Sequence, residues 1–496
     1  MPNFITQAQP PLEFLPPNYD PLVRQMTHLA APSWIRWREQ VVDIEANQVE
    51  TLVKLYEEFQ AGKVRFMMAF RHPSSNDPLC MFHLVSRCVP RTAATMGIRL
   101  QAPVHSHFIY DRGIPLWAGS LVSWLYPRLG GTPIRRGKVD LPGLRSARQL
   151  FAEGQFPIAA APEGATNGHN EIVSPIEPGV AQFGFWCQED LHKAGRTERV
   201  VILPIGIQYH YVSEPWEAID RLMTELETDC GLAGEVEAKS VPLPDEAKLT
   251  PAQERQYRRL IRLGEHLLTQ MEQFYIRFYH RELKAPTTLE AGTGMIPTPS
   301  AIEASDPANI RLAMRLQTLL NTALSVAEEF FKVLPKGTLT DRCRRLEQAG
   351  WDWIYREDIK DIEQLPPVER GLADRIAEES DLRLWHMRLV ETFVSVTGRY
   401  VLEKPTAERF AEMLLLVWDT VTRLKGKFPF PRPRLGKQKA FITIGEPISI
   451  SDRWSGYQTN RRQAVATLTQ DLQNALEQMI FSQDESFISA EQIRTK

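Results

Sequence analysis

An α/β sheet domain interrupted by a large all-helical insertion is the architecture this sequence predicts, and three observations lead there. Short apolar runs of strand length at 63–71, 156–161 and 200–207 alternate with stretches of helical periodicity, the pattern of a sheet with helical crossovers. From about residue 213 to 433 the periodicity becomes helical throughout. A further run at 439–449 (KAFITIGEPIS) then returns to strand character and ends in a Gly-Glu-Pro turn. The expected division is therefore a discontinuous domain of residues 1–211 plus 437–496, with 212–436 as the helical insertion.

Each element follows from local pattern. Residues 34–60 read as one helix, because Trp34, Ile35, Val41, Val42, Ile44, Val49, Leu52, Val53 and Tyr56 recur at roughly helical spacing before Gly62. The run 63–71 (KVRFMMAFR) is a strand, broken by His72-Pro73 because proline removes a donor and restricts its predecessor. A helix should begin near Asp77, with Asp77 as N-cap and Pro78 as first helical residue. Helices are expected at 144–153 and 180–193, each leading into one of the later strands. In the helical region 256–283 is clearest, with Tyr257, Leu260, Ile261, Leu267, Leu268, Met271, Phe274, Tyr275 and Phe278 on one face. A final helix is expected over 463–480.

Bulk properties bound the function. With 496 residues and 43% hydrophobic composition the chain can bury a sizeable core in more than one unit. A net charge of -3 leaves no global basic field, which excludes nucleic acid as a partner driven by backbone charge. The five cysteines form no CxxC pair and fit a reducing, cytoplasmic compartment. Arg24 is the first basic residue and four prolines precede it, so no signal peptide is expected. The longest uncharged apolar stretch, 113–127, is about 15 residues and short of the roughly 20 that span a bilayer. Its Trp117, Trp124 and Tyr126 suit a membrane interface, and a buried amphipathic helix is the competing reading.

Two segments carry chemistry. In His72-Pro-Ser-Ser-Asn-Asp77 an imidazole and a carboxylate stand five positions apart across a strand-to-helix turn, where both side chains can converge. Such a pair suits general-base work, the carboxylate fixing the tautomer and stabilising the imidazolium that forms. The second segment, Pro162-Glu163-Gly164-Ala-Thr166-Asn167-Gly168, follows the strand 156–161 directly. Strand ends are where α/β sheets place sites, and proline with two glycines permits a sharp turn. His105 and His107 alternate on a short strand without a second ligand cluster, so no metal is expected. The segment 131–138 has one residue too many for a phosphate-binding loop and Val139 where Ser or Thr is needed.

Together these segments resemble the glycerol-phosphate and lysophospholipid acyltransferase family (1-acylglycerol-3-phosphate acyltransferase-like). Its blocks are Asn-His-x4-Asp, a Gly-to-Arg block, Phe-Pro-Glu-Gly-Thr-Arg, and a later proline-containing strand. Their order is the same here: His72 to Asp77, then 130–136 (GGTPIRR), Glu163 with Gly164, and 201–207 (VILPIGI) with Pro204. The strand 440–448 looks like the closing strand of that domain, and the helical region has no counterpart. The resemblance implies acyl transfer from a thioester, acyl carrier protein or acyl-CoA as co-substrate with no bound cofactor, to a hydroxyl of a lysophospholipid or other glycerolipid. By that resemblance His72 deprotonates the hydroxyl, Asp77 orients His72, and amides at the start of the following helix assist the oxyanion. Glu163 and Gly164 would position the acceptor, and Arg135 and Arg136 would hold its phosphate.

Three positions depart from the family. Arg71 replaces asparagine, Ala161 replaces phenylalanine, and Ala165-Thr166 replaces Thr-Arg. The last removes an expected phosphate ligand, leaving Arg71, Arg135 or Arg136 for that role, or an acceptor without free phosphate contacted at Thr166. A catalytically silent lipid-binding protein of the same fold and an acyltransferase for a non-phosphorylated glycolipid are the alternatives. A peripheral position on the cytoplasmic membrane face would accompany a lipid substrate.

Overall fold

The computed structural model describes residues 5–114, 119–135, 140–232, 249–283, 307–393 and 400–481. Two compact units divide the chain, one of residues 13–135, 139–213 and 437–496, the other built mainly from 1–12 and 214–436.

The first unit is an α/β unit around a mixed eight-stranded sheet. Its elements in chain order are α1 (Pro21–Ser33), a π-helical turn (Trp34–Arg38), β1 (Val41–Asn47), α2 (Val49–Gln60), β2 (Val64–Phe70), α3 (Asp77–His83), a second π-helical turn (Leu84–Cys88), α4 (Val89–Thr95), β3 (His107–Asp111), α5 (Ser120–Arg128), β4 (Gly131–Ile134), α6 (Leu141–Glu153), β5 (Ile158–Ala160), α7 (Gly179–Lys193) and β6 (Arg199–Tyr211). After the helical unit come β7 (Gln438–Ile444), β8 (Ile448–Ser449), and the helices Trp454–Thr459 and Arg461–Gln478. The strand order is β1-β7-β6-β2-β5-β3-β4, with β8 also paired to β6. Strands β6, β2, β5, β3 and β4 run parallel, whereas β7 is antiparallel to β6 and parallel to β1.

Every residue of β2 is buried because the strand is covered on both faces, the condition that produces continuous apolar runs rather than alternation. Its alternate side chains enter two different cores. Phe66, Met68 and Phe70 join Leu52, Val53 and Tyr56 of α2 with Met81, Leu84 and Val89 beneath α3 and α4. Met67 and Ala69 join Phe151 of α6, Phe185 of α7 and Leu468, Leu472 and Leu476 of the last helix. The sheet is the middle layer of three.

One sequence expectation fails here. Residues 34–60 are not a single helix, since Val41–Asn47 is strand β1, paired to β7. Gln40 and Gln48 at φ +58° bracket it, and these left-handed residues stop the helical path on both sides. The predicted strand at 439–449 pairs in this sheet, at Ile205↔Ile444 through Tyr211↔Gln438.

The second unit is helical among its described residues. Its principal helices are Trp216–Asp229, Pro251–Tyr279, Pro307–Phe331, Leu339–Ile354, Pro367–Phe393 and Ala407–Leu424. Leu268, Met271, Tyr275, Leu320, Leu346 and Leu384 form its core. Thr250 and Gln253 cap the Pro251–Tyr279 helix reciprocally. Of the expected face Tyr257, Leu260, Leu267, Leu268, Met271 and Tyr275 are buried, Ile261 and Phe274 are half-buried, and Phe278 is exposed. Residues 5–12 belong to this unit rather than to the sheet: Ile5 N and Ala8 N donate to Asp381 Oδ2 and Asp374 Oδ1, and Gln9 bridges to Tyr355.

Candidate active site

Parallel strands β2, β5, β3 and β4 end at the same edge of the sheet, the edge at which open α/β sheets bind ligands. Arg71 and His72 follow β2 there, and the 161–174 loop follows β5.

His72 Nδ1 lies 2.8 Å from Asp77 Oδ2. The His72 side chain is 19% exposed and that of Asp77 is 0% exposed, so the base is open while its carboxylate is sealed. Asp77 Oδ2 also accepts from Ser74 N at 2.9 Å, and Asp77 Oδ1 accepts from the Tyr209 hydroxyl at 2.6 Å. With Nδ1 facing a carboxylate, the network assigns the proton to Nδ1 and leaves the Nε2 lone pair pointing outward. Tyr209 reaches Asp77 because alternate residues of β6 face α3: Leu203, Ile205, Ile207 and Tyr209 share one core. Burial first, and then the Asp77 charge, push the Tyr209 phenol well above its ordinary pKa, which keeps it a donor. Cys80 Sγ lies 3.3 Å from the same hydroxyl, and burial pushes that thiol up to about 12, outside nucleophilic range.

Asp77 is not the N-cap. Asn76 holds that position, and Asp77 is the first residue of α3 with its carboxylate turned to His72 and Tyr209. The amides near the start of α3 are also engaged: Ser74 N with Asp77, Asn76 N with Ser74 Oγ, and Leu79 N and Cys80 N with the Asn76 carbonyl. They are bonded within the turn rather than offered to an oxyanion.

Glu163 and Arg71, both expected as substrate contacts, have their polar atoms engaged within the protein. The Glu163 side chain is buried, with Oε1 accepting from His72 N at 2.7 Å and Oε2 from Asn167 Nδ2 and Ser174 N at 2.8 and 2.9 Å. It ties the base to its loop instead of facing an acceptor. Arg71 is equally buried and donates to the carbonyls of Asn170 (2.6 Å), His169 (3.1 Å) and Ile172 (2.7 Å), with Nε 3.9 Å from Glu163 Oε1. Its guanidinium clamps the loop, so it is not a surface phosphate ligand. Gly164 at φ +73° and Gly168 at φ +76° turn the loop where a side chain would be strained.

Thr166 is the predicted contact that the structure brings to the base: its Oγ1 lies 3.0 Å from His72 Nε2, and the residue is exposed. Arg135 directly follows β4, three strands from β2 and so about 14 Å away across the sheet. Its side chain is buried and its amide donates to Asp140 Oδ2 at 2.8 Å. Arg136 lies outside the described residues. His105 and His107 are buried, with Nε2 and Nδ1 on the carbonyls of Leu129 and Gly130 at 2.8 and 2.9 Å. No group of three metal-capable side chains occurs among the described residues.

Sequence reading missed Tyr209, which lay just past the expected strand end at Ile207. The signal was present, since Gln208 and Tyr209 are polar residues continuing an apolar run. What results is an ordered chain from Thr166 Oγ1 through the His72 imidazole to Asp77, with Tyr209 behind it. No protein-family model, no curated protein and no solved structure matches this chain.

Proposed function

We propose that this chain is an O-acyltransferase that moves a fatty acyl group from a thioester of acyl carrier protein or coenzyme A to the hydroxyl of a lysophospholipid or acylglycerol phosphate. The observation that carries the reading is the 2.8 Å bond between a part-exposed His72 and a fully buried Asp77 at the ligand-binding edge of the sheet. In the proposed reaction the acceptor hydroxyl takes the Thr166 position at Nε2 and gives its proton to the imidazole. The oxygen attacks the thioester carbonyl, the tetrahedral adduct collapses with loss of thiolate, and the imidazolium returns the proton to sulfur. Asp77 stabilises the imidazolium between those steps.

A second reading, acylation of a non-phosphorylated glycolipid, is favoured by one observation: Arg71 is consumed by the loop and Thr166 stands where the family has arginine. In either reading the sheet unit is a discontinuous acyltransferase domain with the helical unit inserted before its closing strands. Among the described residues no helix is long and apolar enough to cross a membrane; the proposed site of action is peripheral, on the cytoplasmic face.

The test is acyl release from both thioesters with lysophosphatidic acid, lysophospholipids, glycerol phosphate and a neutral glycolipid, for wild type and His72→Ala. Activity on one acceptor class, reduced at least about 100-fold in the mutant, is expected. No transfer to any acceptor, or equal rates in mutant and wild type, sinks the assignment and leaves lipid binding without catalysis.

A further inference from the structure

Helix α1 and the π-helical turn that continues it are apolar on both sides. The inner side is docked on the sheet unit: Val23, Ala31 and Ile35 are buried, and Arg24 Nη2 donates to the Val104 carbonyl at 3.1 Å. The outer side carries Leu22 (75% exposed), Met26 (67%), Leu29 (66%), Trp34 (52%) and Trp37 (80%). Spacings of four and three put Leu22, Met26 and Leu29 on one face of α1, and Trp34 and Trp37, three apart, follow on the π-helical turn. Isolated exposed apolar residues are ordinary, but a continuous stripe ending in two exposed tryptophans marks an interaction surface.

Its charge has one sign. Residues 21–38 contain Arg24, Arg36 and Arg38 and no carboxylate. Arg36 and Arg38 are exposed on either side of Trp37, and Arg87 Nη2 donates to the His28 carbonyl beside the helix at 2.9 Å. The carboxylates at the margins have local duties: Asp20 caps α1 through its Leu22 and Val23 amides, and Glu39 accepts from Trp34 Nε1 at 3.0 Å.

We infer that this stripe is a bilayer-docking surface, seating Leu22, Met26 and Leu29 in the acyl boundary with Trp34 and Trp37 at headgroup level and Arg36 and Arg38 on anionic phosphates. An apolar helix face with tryptophan and arginine at one end is the composition that lies in a lipid interface. A cationic rim attracts the negative surface of an anionic leaflet, whereas a second copy of the same face would present the same positive charge. Helix α1 packs against α3, the helix that begins at Asp77, so the element that carries the stripe adjoins the one that supplies the carboxylate of the candidate base. The inference deepens the lipid reading by naming where the chain would meet a membrane, and it is scored without catalysis.

The experiment is co-sedimentation of the full chain with sucrose-loaded vesicles, one set of pure phosphatidylcholine and one containing about a third phosphatidylglycerol. Wild type and His72→Ala should bind the anionic vesicles equally and at least about tenfold more tightly than the neutral ones. Met26→Glu/Leu29→Glu should weaken binding to both by about tenfold or more. Arg36→Gln/Arg38→Gln should remove the preference for anionic vesicles while leaving the neutral binding. Circular dichroism and size-exclusion chromatography of each variant check folding and mass. Wild type remaining in the supernatant with both vesicles overturns the inference, as does unchanged binding in both double variants. A wild-type dimer that Met26→Glu/Leu29→Glu converts to monomer also overturns it, by assigning the face to a second copy. Failure of acyl transfer with intact vesicle binding overturns only the catalytic reading.

Discussion

Asp77 takes its hydrogen bonds from His72, Ser74 and Tyr209, the last reaching it from 132 positions away in the chain. Tyr209→Phe leaves one oxygen of a sealed carboxylate short of a donor, so urea unfolding should show a loss of about 1–3 kcal/mol. Glu163 is similarly committed, to three donors with Arg71 beside it. Glu163→Gln turns an acceptor into a donor facing donors, and about 3 kcal/mol of stability should be lost. Faster hydrogen exchange across residues 167–174 should accompany that loss. Thr166→Val, by contrast, removes only the hydroxyl that the acceptor is proposed to displace. Steady-state kinetics should then keep kcat within about threefold of wild type, while a fall of about 100-fold would make Thr166 itself the nucleophile. At this scale the sequence disclosed the partners five residues apart, because turn chemistry brings His72 and Asp77 together locally. The burial of Arg71 and Glu163 was illegible, since it depends on where the carbonyls of a loop nearly a hundred residues later come to rest.

Strand β1 shows why local periodicity misleads. Its β-branched Val41, Val42 and Ile44 fall at positions that also fit the helix on either side, and the partner that makes them a strand is β7, almost four hundred residues on. The period-two signature was present in Asp43, Glu45 and Asn47, all exposed. Strands buried on both faces, β2 and β6, were legible because continuous apolar runs of that length fit few alternatives. The pairing of β6 with β7 leads to a test at the same scale. Tyr211 opposes Gln438, and Val212 N donates to the Lys437 carbonyl at 2.9 Å. The chain therefore leaves the sheet and returns to it at adjacent, antiparallel strand ends, the geometry of a hairpin. Replacing residues 213–436 with Asn-Gly should give a soluble sheet unit with a single cooperative urea transition and native-like near-ultraviolet dichroism. An insoluble or molten product would mean that the sheet depends on the helical segment.

For the whole molecule, buried histidines in both units set the acid limit. Burial lowers His105 in the sheet unit to about 4 and His386 in the helical unit to about 3. The unfolded chain binds these protons near 6.5 and the folded chain does not, so stability is full above that pH and falls as pH drops toward about 4. The urea midpoint should decline between pH 6.5 and 4, and His105→Gln should flatten the decline. The α/β class and the return of the chain to the sheet at 438–444 were legible from alternating runs; the membership of residues 5–12 in the helical unit was not, because it rests on backbone amides meeting Asp374 and Asp381. That late return also sets a clock. Among the described residues the outer edge of β6 is filled by β7 and β8, which are synthesised about 225 residues after Tyr211. At about 5–20 residues per second, a nascent chain spends roughly 10–45 s with the edge of a 13-residue, almost wholly buried strand unpaired. The helical segment must be made within that interval, and a ribosome stalled anywhere in it holds an aggregation-prone half-sheet that chaperones would have to shield.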